Sequence, residues 1–441
     1  MTYFSPQDGN CIARDSYTVR MEPSESSEIN TRCCIVGGGP AGMMLGLLLA
    51  RSGVPVTVLE KHADFLRDFR GDTVHPSTLQ VLDEIGLLAR FEELPQRRVD
   101  QLSGIIGGRK QQIIDFRGLK PFDYLALVPQ WNFLDMLAVE GRRYPRFDLR
   151  MCHEAIDLIE ENGRVVGVCI EASGQRYELR ADLVVACDGR HSTLRKAAGM
   201  HAREYGAPMD VLWFRIPRKE SDPQDTFGII DGGHMMVMLN RTDYWQMAYL
   251  VPKGGDTLLR SKPIDVLSNS VMQLAPFLAD RKSTMGSWQN VSTLQVQVDR
   301  LECWHRQGLL LIGDAAHAMS PIGGVGINLA IQDAVAAANM LAKPLLEGRP
   351  IDETIFDRVQ RRREWPTRIV QMLQIAIQKR VISRVLEQNG RPARIPVWLR
   401  ALLHFRIVRH IPARMFGYGI RREHVHLSVA ADTGDKIRYA K

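Results

Sequence analysis

With 441 residues, 45% of them hydrophobic and 24% charged, the chain has ordinary globular composition and length for two or three domains, which excludes a disordered or fibrous protein. Its net charge of +7 is modest for that length, and the basic residues are not interleaved with aromatics along one face, so no nucleic-acid partner is expected. Seven scattered cysteines without a Cys-x-x-Cys pair read as reduced thiols, and the first 30 residues, polar and broken by Pro6 and Pro23, lack a secretory pattern, so a cytoplasmic protein is expected.

The first element is a short strand, Cys33 to Val36, followed by Gly37-Gly38-Gly39-Pro40-Ala41-Gly42 and an apolar helix through Ala50. Val54 to Leu59 supplies a second strand ending at Glu60, which completes a dinucleotide-binding pattern. Gly37 permits the tight turn, Gly39 lets backbone approach a pyrophosphate, Gly42 lets helix pack on strand, and Glu60 can accept hydrogen bonds from a ribose. Arg70 lies on a loop before a helix that Ser77 could cap, and His75 has no second metal ligand at useful spacing, so no metal site is expected. Gln130 opens another helix. A meander comes next, with strands Ala155 to Ile159, Val165 to Glu171 and Tyr177 to Arg180, and then an apolar strand from Leu183 ending at Asp188-Gly189.

From Val211 the pattern is strand-rich and carries Trp213, Phe214, Met236, Met238, Tyr244, Trp245, Met247 and Tyr249. This sheet is either plain core or one wall of an apolar pocket, and its place between two strands that each end in Asp beside Gly favours the pocket, with Trp213, Met236, Tyr244, Trp245 and Met247 as its candidates. The second of those strands, Leu309 to Ile312, delivers Gly313 and Asp314 and leads into a Gly-rich loop, Pro321 to Gly324, and a helix starting near Gly326. A helix start of this kind favours anionic groups. Further helices are expected from Asp352 to a stop at Pro366, and onward to about Arg384. No apolar window of bilayer-spanning length is found, but the basic, apolar tail from Ile395 to Gly419 fits either a docked helix or peripheral contact with an anionic membrane.

The order Gly37 to Gly42 with Glu60, Cys187-Asp188-Gly189, and Gly313-Asp314 with Pro321 to Leu329 resembles the group A flavoprotein monooxygenases, the para-hydroxybenzoate hydroxylase family. That resemblance implies an α/β fold: a Rossmann-like FAD-binding domain with a β-meander, an inserted, mostly antiparallel substrate sheet and a C-terminal helical region. The divisions expected are a tail over 1–30, the FAD-binding domain over 31–205 and 293–350, with 100–127 contributing to the substrate domain, the substrate sheet over 206–292, and helices over 351–441.

The resemblance also implies FAD held by Gly37, Gly39, Pro40, Ala41, Gly42, Glu60, Arg70, Gln130, Asp188, Gly313, Asp314, Pro321, Gly326, Ile327 and Asn328. Pro321 and Gly324 would lie at the flavin edge. It implies NAD(P)H and O₂ as co-substrates, a flavin C4a-hydroperoxide as oxidant and an aromatic or polycyclic small molecule as substrate. No substrate base is singled out among His234, Tyr244, Tyr249 and Arg215. A non-oxygenating reductase of isoprenoid type and a membrane-surface hydroxylase of quinone precursors stay open as alternatives.

Overall fold

The structure is a computed structural model that describes residues 29–66, 73–387, 402 and 405–427. Its elements in chain order are β1 (Ile29–Val36), α1 (Pro40–Arg51), β2 (Val56–Leu59), α2 (Pro76–Glu84), β3 (Gln101–Ile106), β4 (Arg109–Asp115), α3 (Gln130–Gly141) and β5 (Phe147–Arg150). The meander β6 (Glu154–Glu161), β7 (Arg164–Ala172) and β8 (Gln175–Ala186) leads to β9 (Met209–Pro217), β10 (Phe227–Asp231), β11 (His234–Asn240) and β12 (Tyr244–Pro252). The remainder is α4 (Asp265–Leu274), β13 (Ser292–Leu294), β14 (Leu309–Leu311), α5 (Gly326–Leu346), α6 (Glu353–Ile377), α7 (Ser383–Glu387) and α8 (Arg406–Tyr418).

An eight-stranded sheet has the parallel core β14-β8-β1-β2-β5. Strands covered on both faces are apolar throughout, as Cys33 to Val36 and Leu183 to Ala186 are. Helices α1 and α5 pack together, and Gly46 keeps α1 close to the sheet: a Cβ there would fall 2.7 Å from Val58 of β2. The meander is simpler than its sequence pattern suggests, because the stretches around Tyr177 and Leu183 form one unbroken strand, β8, paired to β7 at one end and to β1 along its length.

A second sheet of seven strands runs β13-β9-β12-β11-β10-β3-β4, antiparallel except where β10 meets β3. One face is covered by α4 and the 3-10 turns of Pro276–Met285, and the other faces the loop at Ile322 and the C-terminal helices.

Helix α6 continues through Pro366 rather than stopping there. Proline removes one helical hydrogen bond, but the side chains on both sides of it are pinned: Arg363 and Gln371 are each 1% exposed, and Arg363 is ion-paired to Asp333. The stretch Ile322–Leu346 has the length and hydropathy of a membrane span, a window the sequence pattern did not mark, yet 83% of it is buried against protein. In the tail, α8 docks through Ala413 and Gly417 against Phe116 and β4, while Phe405, Ile407 and Ile411 are exposed; residues 395–401 lie outside the described residues.

Candidate active site

Strand register brings the three loops together. Val36 of β1 is level with Leu59 and Ala186, and Ala186 is level with Leu311, so β1, β2, β8 and β14 end along one edge of the parallel sheet. Just past these strand ends stand the site residues Gly37, Glu60, Asp188 and Gly313-Asp314. A crevice at the carboxyl ends of parallel strands is where dinucleotides bind in such sheets.

The glycines show why no larger residue serves. Gly37 has φ +105, and a Cβ on it would lie 2.4 Å from the Cys187 carbonyl oxygen, so the first loop rests directly on the second. At Gly42 a Cβ would fall 2.0 Å from the Gly37 oxygen, whereas at Gly39 nothing lies within 4 Å. That open side sits at the start of α1, which begins with Pro40, has no side-chain cap and carries no acidic residue in its first turn. Its free N–H groups and positive dipole end suit a diphosphate. The Glu60 carboxylate accepts from the Gly38 and His62 amides at 3.0 and 3.1 Å, which fixes it beside the loop.

Asp188 caps the short helix Thr193–Ala197 by accepting from the Thr193 and Leu194 amides at 2.8 and 3.2 Å. Its Oδ1 is buried and without a partner, and burial pushes its pKa up. Asp314 lies at 3.3 Å from Arg190 and is 29% exposed. Gly313 (φ +60) approaches α1 so closely that its Cβ would lie 3.3 Å from that of Ala41. The open cradle at Gly39, the uncapped α1 and the orphaned Asp188 oxygen are what an extended dinucleotide such as FAD would fill.

Beneath Gly313 runs a buried chain of charge: Asp333 accepts from the Gly313 amide at 3.1 Å, pairs with His317 at 2.6 Å and with Arg363 at 2.9 Å, and Arg363 reaches Glu423 at 3.3 Å. Burial alone would raise the Asp333 pKa, but His317 and Arg363 hold it below the ordinary carboxylate range. None of these four stands in a recognisable motif, and sequence reasoning missed them.

In the Gly-rich loop after Pro321, Gly323 and Gly324 take φ +77 and +62, and Cβ atoms there would strike Phe416 and Thr73, each at 2.9 Å. Helix α5 then starts without a side-chain cap, leaving the amides of Gly326, Ile327 and Asn328 free of helical partners. The Asn328 side chain is already used: it accepts from the His75 amide and the Thr78 hydroxyl at 2.9 and 2.7 Å, so only its backbone is available to a cofactor. His75 is the N-cap residue of α2, in place of Ser77. Gln130 opens α3, which packs on α1, and Arg70 lies outside the described residues.

The substrate-wall candidates divide by face. Met236, Trp245 and Met247 are fully buried on the side covered by α4, where Trp245 donates to Asp222 at 2.9 Å and meets the ring of Phe227. They are core and do not face the Gly-rich loop at Ile322. Strand β12 is buried on both faces, so its sequence does not alternate and gave no sign of which side was which. Trp213 and Tyr244 lie on the opposite side, Tyr244 beneath the Arg215 guanidinium at 4.9 Å. His234 and Tyr249, bonded to each other at 2.6 Å, belong to the α4-covered face, where burial pushes the phenol up to about 12.

On the side facing Ile322, one cross-strand row reads Gly104, Gly228, Val237, Ala248 and Trp213. Five neighbouring strands span about 19 Å at the usual spacing. The row is bare at Gly228, filled by Ile113 over Gly104 at one end and closed by Trp213 at the other, and above it lie Ile230, Met235 and Leu250. The result is an apolar strip opposite the Gly-rich loop, bordered by Gln246 and Arg215 in the next row of the same face.

Comparison with known proteins agrees with this geometry. The family model for the FAD binding domain matches residues 30–372. The 6-methylpretetramide 4-monooxygenase of Streptomyces rimosus is 34% identical over 368 residues, covering 82% of this chain and 86% of that one. Among solved structures, a probable FAD-dependent monooxygenase of Pseudomonas aeruginosa, PqsL, superposes with TM-score 0.70 at 19% identity, covering 81% of this chain and 98% of that one. The anhydrotetracycline hydroxylase OxyS of Streptomyces rimosus gives 0.68 at 21%, covering 88% and 76%. At those identities the two structures speak for the fold.

Proposed function

We propose, from the premise that this chain belongs to the FAD-binding domain family and is an FAD-dependent aromatic monooxygenase, that it hydroxylates a flat, uncharged, multi-ring aromatic molecule at the expense of NAD(P)H. The balance is ArH + O₂ + NAD(P)H + H⁺ giving ArOH + NAD(P)⁺ + H₂O. The observation that carries the substrate class is the row Gly228, Val237 and Ala248 ending at Trp213, which offers a planar ring system backbone and small side chains to lie against. The 34%-identical relative is named for oxygenation of 6-methylpretetramide, in keeping with an aromatic substrate here.

Bound FAD supplies the chemistry, accepting hydride from the nicotinamide and activating O₂. The chain's own residues hold, orient and shield. Gly37 to Gly42 and the start of α1 would take the diphosphate, Glu60 the adenosine ribose, and Asp314 the ribityl chain. The free amides at the start of α5 would stabilise negative charge on the reduced ring. Ile322, Met235, Val237, Leu294 and Leu386, all apolar, form the cluster that would keep water from the reacting edge. Free thiols at the six described cysteines support a reducing, cytoplasmic setting.

The test is flavin reduction and O₂ uptake by purified protein with NADH or NADPH against phenols and fused-ring aromatics. Substrate-stimulated uptake with formation of a hydroxylated product is expected. Flavin-loaded protein that reduces a substrate double bond without consuming O₂ would replace this reading with the reductase alternative.

A further inference from the structure

The geometry points to Arg190 as a ligand of the cofactor's diphosphate, supplying the positive charge that the glycine loop lacks. The inference rests on the reading that the three loops hold FAD. Gly189, at φ +83, turns the chain out of β8 and sends Arg190 toward Asp314, where its Nη2 lies 3.3 Å from a carboxylate oxygen. That contact uses one face of the guanidinium. The other amino nitrogen, Nη1, is buried with no hydrogen-bond partner, although the side chain as a whole is 22% exposed. A buried guanidinium N–H left unpaired is costly, and the group that best satisfies it is a doubly negative oxyanion.

Its neighbour Arg195 shows that the loop itself does not need that donor. Arg195, 8% exposed, is consumed in structure: it donates to the Ala315 and Arg190 carbonyl oxygens at 3.3 and 2.8 Å and lies 3.6 Å from Asp299. One arginine stitches the second loop to the third, and the other stands at the crevice with capacity to spare.

Position and charge agree. Asp314 follows Gly313, which abuts Ala41 in the first turn of α1, so the guanidinium on Asp314 is carried to the end of the helix where the uncapped amides open. A diphosphate there would meet two carboxylates, Glu60 and Asp314, and repulsion from them has to be offset. Among the described arginines and lysines of the three loops, Arg190 is the one with a buried donor that lacks a partner, and it is the one paired to Asp314.

The experiment uses the full chain stripped of flavin, with refolding checked by thermal melting. FAD affinity is read by quenching of flavin fluorescence, and ADP and adenosine serve as competitors with and without the diphosphate. Arg190→Ala is expected to weaken FAD at least tenfold, Arg190→Lys to recover part of that loss, and Arg190→Ala to weaken competition by ADP while leaving adenosine unchanged. Wild-type affinity should also fall more steeply with salt than that of Arg190→Ala. Unchanged FAD affinity in Arg190→Ala overturns the inference, as does equal loss of ADP and adenosine, which would make the residue a prop for the loop. A rise in NAD(P)H KM alone would overturn it too, by assigning the charge to the other dinucleotide. Failure of the wild-type chain to bind FAD would instead remove the reading underneath.

Discussion

The Nδ1 of His75 lies 2.7 Å from the main-chain oxygen of Phe416, a residue 341 positions further along the chain. A carbonyl can only accept, so the imidazole donates through Nδ1, and this single bond ties the entrance of α2 to the helix whose Phe416 ring packs on Gly323. The Gly-rich loop at Gly323 and Gly324 is thereby gripped between the segment at Thr73 to His75 and the C-terminal helix.

Burial drives the His75 pKa from 6.5 down to about 4. The folded state therefore prefers the neutral ring, and the stability that this preference contributes is complete above pH 6.5 and is lost as pH falls toward 4. The full difference amounts to about 3 kcal/mol. Melting temperature of the wild type should fall between pH 7 and pH 5 more than that of His75→Gln. Parallel pH profiles would show that the histidine is not the group responsible.

Asp314→Ala should purify with little flavin while keeping its fold, since a charge-assisted hydrogen bond to a hydroxyl contributes about 1.5–3 kcal/mol. The ratio of absorbance at 450 nm to 280 nm measures it, and full occupancy would move the ribityl contact elsewhere.

Gly228→Leu tests the flat row with little risk to the fold. A Cβ at Gly228 meets nothing nearer than the Met236 oxygen at 3.8 Å, so the new side chain would stand up from the sheet floor. Flavin content should stay as in the wild type while kcat/KM for a fused-ring substrate drops about tenfold or more, the cost of a misplaced substrate. A single-ring phenol should suffer less. Equal turnover of both in the variant would mean the substrate lies on another surface.

Arg363→Met would strand Asp333 and Glu423 without their shared partner, each less than 5% exposed. Removing one member of a buried charge group costs about 3–5 kcal/mol. Urea unfolding should show that loss, with flavin released before the global transition because Asp333 also holds the Gly313 amide.

The parallel sheet and its loops were readable because their signals are local: an apolar run that ends at glycine, with a carboxylate directly beside the glycine in the second and third loops and at the end of the next strand in the first. Sheet faces were not readable where burial is two-sided, and so Trp245 and Met247 looked like Trp213 and Tyr244 although they point the opposite way. Pro366 misled for a related reason, since its helix is held by Arg363 and Gln371 bonding to partners far along the chain. Nothing near His75 or Asp333 in sequence announces Phe416 or Glu423. Such pairings exist only once the chain has closed on itself.

That closure has an order in time. The Glu423 carboxylate accepts from Arg362 and Arg363 and its main-chain N–H donates to the Gln332 side-chain oxygen, so the support under Gly313 is finished by a segment that lies beyond every strand of both sheets. During synthesis the Rossmann half can form while the ribosome is still at work, but the pocket floor stays unbraced until residue 423 has cleared the exit tunnel. Cofactor loading is accordingly expected late in the life of each molecule, and chains truncated before residue 423 should retain little flavin.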